Sequence, residues 1–71
     1  MSFKVWSRFP NGNFVIERSF ELEKFAVDLV RYRMSRDREI GDKREYIITV
    51  DGESPSDKAN VDGVWSPESI Y

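Results

Sequence analysis

Seventy-one residues, 39% apolar and 34% charged, give one small globular domain with room for a single core. The chain has neither cysteine nor histidine. That excludes a disulfide framework and a thiolate metal site, and it removes the usual general base and the best nucleophile. The formal charge of −2 hides a polarity: residues 1–30 hold four bases and four acids, residues 31–50 six bases and four acids, and residues 51–71 five acids against Lys58 alone.

In chain order, Phe3, Val5 and Phe9 alternate with Lys4, Trp6 and Arg8, the period of two of a half-covered strand. Pro10-Asn11-Gly12-Asn13 interrupts the run, and Asn-Gly between alternating runs predicts a hairpin with a type I′ turn. Phe14, Ile16 and Phe20 are expected on one face of the return strand, with Val15 and Glu17 on the other. From Glu21 to about Arg36, Leu22, Phe25, Ala26, Leu29 and Val30 recur at the offsets of one helical stripe, with Tyr32 at its edge. Phe20 can staple onto Phe25, and Ser19 is the best capping side chain nearby. Arg33 and Arg36 fall back within the apolar arc, so the docked part is expected to end near Tyr32, with the last turns projecting past the sheet and Gly41 as the stop.

After a charged loop, Glu45 to Val50, EYIITV, has the β-branched and aromatic content of a third strand. Asp51-Gly52 closes it. The order β-β-α-β predicts an α+β fold: a three-stranded antiparallel sheet, spatial order 2-1-3, packed on one helix. Residues 1–50 form that domain. Residues 51–71 read as an acidic, flexible C-terminal tail, because their composition cannot repay its ordering entropy. Val61, Val64, Trp65, Ile70 and Tyr71 return apolar side chains at its end, so the tail can dock through Trp65 over the open sheet face or the helix flank.

Three groups are candidate contacts. On the sheet face away from the helix, Lys4, Trp6 and Arg8 are expected beside Val15, Glu17, Ile47 and Thr49. Trp6 could stack on a base with Lys4 and Arg8 on phosphates. Cover by a terminal segment, a second copy or a protein partner is the plainer reading, and Glu17 with the net acidity weakens the phosphate term. Arg31, Arg33, Arg36 and Arg38, with Lys43 and Arg44, could grip phosphate or an acidic protein surface. The alternative is a solvated helix end favourable to the helix dipole. The third group is the tail with Trp65 and Tyr71. Ser54-Pro55 and Ser66-Pro67 fit proline-directed phosphorylation, but such dipeptides arise too easily to weigh.

No enzyme, no cofactor and no metal are expected. Acids at positions 1, 3, 7 and 12 counted from Asp51 (Asp51, Glu53, Asp57, Asp62) imitate a calcium loop, yet Pro55 and Ser56 stand where it needs a ligand and a glycine. No run reaches the roughly 18 apolar residues of a membrane span, and the N-terminus lacks a secretory apolar core, so cytoplasmic location without membrane contact is expected.

The succession KVWSRF, NGNFVIERSF, LEKFAVDLVRYRM and EYIITV, followed by a polar tail, resembles the small bacteriophage proteins that bind and disable a host machine, including compact inhibitors of bacterial RNA polymerase. The resemblance covers about residues 3–50 and lies in element order and size. It implies binding to a host protein through a charged strand or helix surface, without catalysis. The expected function is therefore a protein-binding module with a partner of acidic surface, as monomer or homodimer. The alternatives are a nucleic-acid-binding domain using Trp6 and the arginines, and a structural homodimer.

Overall fold

The computed structural model describes residues 2–10 and 12–65, without the side chain of Asp62. Five elements follow in order: β1 (Phe3–Arg8), β2 (Val15–Phe20), α1 (Glu23–Ile40), β3 (Glu45–Val50) and α2 (Pro55–Asp62). The strands form one antiparallel sheet in the order β2-β1-β3, so the expected α+β architecture holds and Trp6 stands on the central strand. α1 packs on one face, where Val5, Ala26, Val30, Met34 and Tyr46 are buried and Phe3, Phe20, Leu29 and Ile48 close around them. Each of the larger aliphatic side chains among them contributes about 1.5–3 kcal/mol by leaving water.

The structure corrects the sequence reading at four places. The first is the turn. Gly12 N–H donates to the Phe9 carbonyl at 2.8 Å, so Gly12 closes the turn and is not one of its two central residues. The connection therefore spans residues 9–14, with Pro10 directly after the accepting Phe9, a position for which its fixed φ is pre-set; Asn11 lies outside the described residues.

The second is the return strand. Val5 pairs with Arg18 but Trp6 pairs with Ile16, so Glu17 is an extra residue in a β-bulge. That slip reverses the expected faces. Ile16 stands opposite Trp6 on the face away from α1, and Glu17 reaches Arg33 of the helix at 3.4 Å.

The third is how α1 sits. It begins at Glu23 behind Leu22, with no side-chain cap, so neither Glu21 nor Ser19 opens it. The Phe20–Phe25 contact forms, with ring centroids 6.5 Å apart. The docked stripe is Ala26, Val30, Met34 and Asp37. The helix therefore stays on the sheet well past Tyr32, because Tyr46 donates its hydroxyl hydrogen to the Asp37 carboxylate and fixes the C-terminal turns. Gly41 ends α1 as expected, at φ 78°, with Asp42 N–H returning to the Asp37 carbonyl at 2.7 Å.

The fourth is the stretch after β3. Composition predicts flexibility there, yet α2 forms behind Ser54 with Pro55 in its first turn and packs against β3. Two helices rather than one therefore accompany the sheet. Beyond α2 the chain reaches the free edge of β3, where Trp65 and Tyr46 exchange both backbone hydrogen bonds, at 2.8 and 2.9 Å. Trp65 thus docks by its backbone on the β3 edge, and it borders a cleft with Ile47 of the sheet and with Glu23 and Val27 of the helix flank. Ser66-Pro67, Ile70 and Tyr71 lie outside the described residues.

Candidate functional site

On the face away from α1, the central strand presents Lys4, Trp6 and Arg8, all half-buried. They are less available than expected. The Trp6 indole N–H donates to the Thr49 hydroxyl at 2.8 Å. Arg8 donates to the Glu45 carboxylate at 2.9 Å and lies over the Phe14 ring, 4.4 Å from its centroid. Ile47 and Thr49, expected to be open here, are buried. This half of the face is closed by cross-strand contacts and, beside Ile47, by the segment of α2 and Trp65 that packs on β3.

The arginines do not form one patch. At about 100° per residue around α1, Arg31 and Arg38 lie with Val27 on the side of β3, and Arg36 lies with Phe25 on the side of β2. Val27 borders a cleft beside Ile48, and Phe25 meets Phe20, which marks the two sides. Arg33 sits between them, spent on Glu17. Of the eight candidate residues, only Lys4, Trp6 and Arg8 come together. Trp65 lies apart at the β3 edge, 39% exposed.

The surface missed by the sequence reading is apolar and lies on the β2 side. Leu22, the residue before α1, and Phe25 and Tyr32 of α1 are 53, 47 and 62% exposed, and Val15 and Ile16 of β2 are 57 and 50% exposed. Half of the apolar stripe read from sequence thus faces outward beside a strand with no neighbour on its far edge among the described residues. Arg18 and Lys24 lie over Phe20 and Phe25, at 5.4 and 5.3 Å from the ring centroids, and add a cationic rim. The signal was present: Val15-Ile16 puts apolar side chains on both faces of β2, and the apolar residues of α1 span more arc than one sheet can cover.

Among titratable groups, burial and the Asp37 carboxylate push the Tyr46 hydroxyl above its ordinary value. Hydrogen bonds from the Ser2 hydroxyl and N–H hold Asp51 below 3.8, and the Val50 N–H holds Glu53 below 4.5. These are structural ties. Clefts of about 290, 230 and 220 Å³ fall below the roughly 300 Å³ at which small-molecule pockets begin. Among the described residues, no cluster of acids could hold a metal ion, and no helix is long and apolar enough to cross a membrane.

The arrangement defines a small open-sheet α+β domain with an unpartnered apolar side. Comparison with protein-family models, with curated proteins and with solved structures finds no match.

Proposed function

We propose that this chain is a non-enzymatic protein-binding module whose contact surface is the β2 side. One observation carries the reading: Val15 and Ile16 of β2 and Leu22 and Phe25 beside it are each about half exposed along a strand edge that no other described strand pairs, in a chain whose core is small. Such patches mark contact with another protein, and aromatic anchors supply most of the affinity at contacts of this kind. Arg18, Lys24 and Arg36 at the rim orient a partner with acidic groups. The likeness in element order to small phage inhibitors supports a role in which the protein acts in the cytoplasm by occupying a surface of a host protein.

The test is capture of a protein partner by the wild type, by Phe25→Ser/Tyr32→Ser and by Arg31→Ser/Arg38→Ser. The reading predicts loss of capture in the first variant and retention in the second; equal capture by all three contradicts it. The sheet-face nucleic-acid reading has less support, since Arg8 is neutralised by Glu45 and the Trp6 indole is tied to Thr49. Binding to generic nucleic acid that weakens steeply with salt would replace the proposal.

A further inference from the structure

We propose that the occupant of the β2 side is a second copy of this chain, paired antiparallel, β2 to β2, about a two-fold axis between Glu17 and Arg18. This rests on the reading of that side as a protein-contact surface and names its occupant in the free protein; a host protein that uses the same side must displace the second copy.

The backbone geometry points this way first. Tyr46 turns its N–H and carbonyl outward to Trp65, so Ser7, opposite it on β1, turns its own towards β2. Alternation then directs Val15, Arg18 and Phe20 of β2 inward to β1, which leaves Ile16 and Ser19 as the residues whose backbone groups face the free edge. Outward residues of a regular strand are two apart. Here the bulge sets them three apart, an interval that a regular strand from another protein matches poorly. A second β2 carries the same interval, and Ile16 then meets Ser19 of the partner subunit on both sides of the axis.

Charge agrees with this register. Antiparallel pairing that sets Ile16 against the partner's Ser19 also sets Glu17 against Arg18 of the partner subunit, twice in the dimer, and Val15 against the partner's Phe20. Opposite charges at directly facing positions favour a register and like charges oppose it. The bulge brings Glu17 and Arg18 to the same face, the one under α1, since Glu17 reaches Arg33 and Arg18 lies over Phe20. A β2 edge is thus complementary to itself.

The helix flank completes the fit. α1 packs across all three strands, so its axis lies near β1. Two copies joined at β2 put three strand spacings, roughly 14 Å, between the two α1 axes, against 8–10 Å for helices in direct contact. The gap needs large side chains on the facing flanks; Phe25, against Phe20, stands on that flank, with Tyr32 above it towards the outer face of the helix. A stable interface removes roughly 800 Å² per partner. That is about a sixth of the 4913 Å² surface, within reach of a strand edge and a helix flank together.

The experiment is sedimentation equilibrium on the full chain and on three variants, each checked for folding by circular dichroism. Wild type should show twice the 8.4 kDa chain mass as concentration rises. Glu17→Lys and Arg18→Glu should each weaken the dimer roughly tenfold, since each sets two like-charge pairs face to face. An equimolar mixture of those two variants should regain the dimer, because every facing pair is again of opposite sign. Ile16→Pro removes an outward N–H without touching the β1 ladder and should give a folded monomer; it also covers the case in which Glu17→Lys, set beside Arg33, fails to fold. A single-chain mass for wild type at every concentration overturns the proposal, as does a mixture no more dimeric than its components. Partner capture by Phe25→Ser/Tyr32→Ser reads the broader protein-contact reading separately.

Discussion

The two outer strands are six residues each and share β1 as their neighbour, yet their free edges end differently. Along β3, Tyr46 exchanges backbone hydrogen bonds with Trp65. Val50 donates to the Glu53 carboxylate at 2.7 Å and accepts from the Glu53 N–H at 3.1 Å. α2 packs against the same strand. Along β2, Ile16 and Ser19 face outward with no other described strand beside them, and the apolar side chains around them are about half exposed. Unpaired edges invite pairing with another chain, and small proteins either cover or use them. Among the described residues, this chain covers one edge with its own later residues and leaves the other open.

Breaking the finished side should cost stability. Tyr46→Phe keeps the ring but leaves the buried Asp37 carboxylate without its donor, a loss of about 1–3 kcal/mol in urea unfolding. The hydroxyl's folded-state pKa is raised above 10.0, so its contribution is full below pH 10 and fades as pH rises through the higher folded value. Tyr46→Phe should therefore also flatten the alkaline arm of the stability profile.

Trp65→Pro removes one of the two donors of the edge bridge and should cost about 1 kcal/mol in the same measurement. It should also speed amide exchange at Tyr46.

On the β2 side, Tyr32→Ser should change monomer stability by no more than about 0.5 kcal/mol, since the ring is mostly exposed. Association is where its loss should register. A change in stability larger than that would place Tyr32 in the core and blur the contrast between the edges.

The smallest effect is expected at Asp51, an exposed carboxylate bonded to Ser2. Its pKa is depressed below 3.8 in the folded chain, so its contribution is present above about pH 4 and disappears as pH falls through the folded value. Asp51→Asn should lower the urea midpoint slightly at pH 7, and the difference from wild type should vanish in strong acid.

Much of this contrast was legible in the residues and part was not. EYIITV marks β3 to the residue, and Gly41 marks the end of α1, because β-branched content and a left-handed glycine are local signals. The bulge at Glu17 was hidden, since β2 alternates acceptably in either register and only pairing with β1 decides between them. α1 offered apolar residues over a wide arc, and the choice of Ala26, Val30 and Met34 over Leu22 and Phe25 depends on Tyr46 reaching Asp37, a contact between two elements. For α2 the signal is short: Ser54-Pro55 is a helix start, but the stretch behind it lacks an apolar period. The candidate site was less legible than the fold. An exposed Phe25 and a buried one look the same in a sequence, and Arg8 seems available until Glu45 is found across from it.

The most direct test of the contrast between the two edges is amide hydrogen exchange at Tyr46, Ile16 and Ser19 over a concentration series of the wild-type chain. Tyr46 should be protected at every concentration, whereas Ile16 and Ser19 should exchange fast when dilute and become protected together as concentration rises. Fast exchange at Ile16 and Ser19 throughout the series, or protection already at the lowest concentration, would contradict the account.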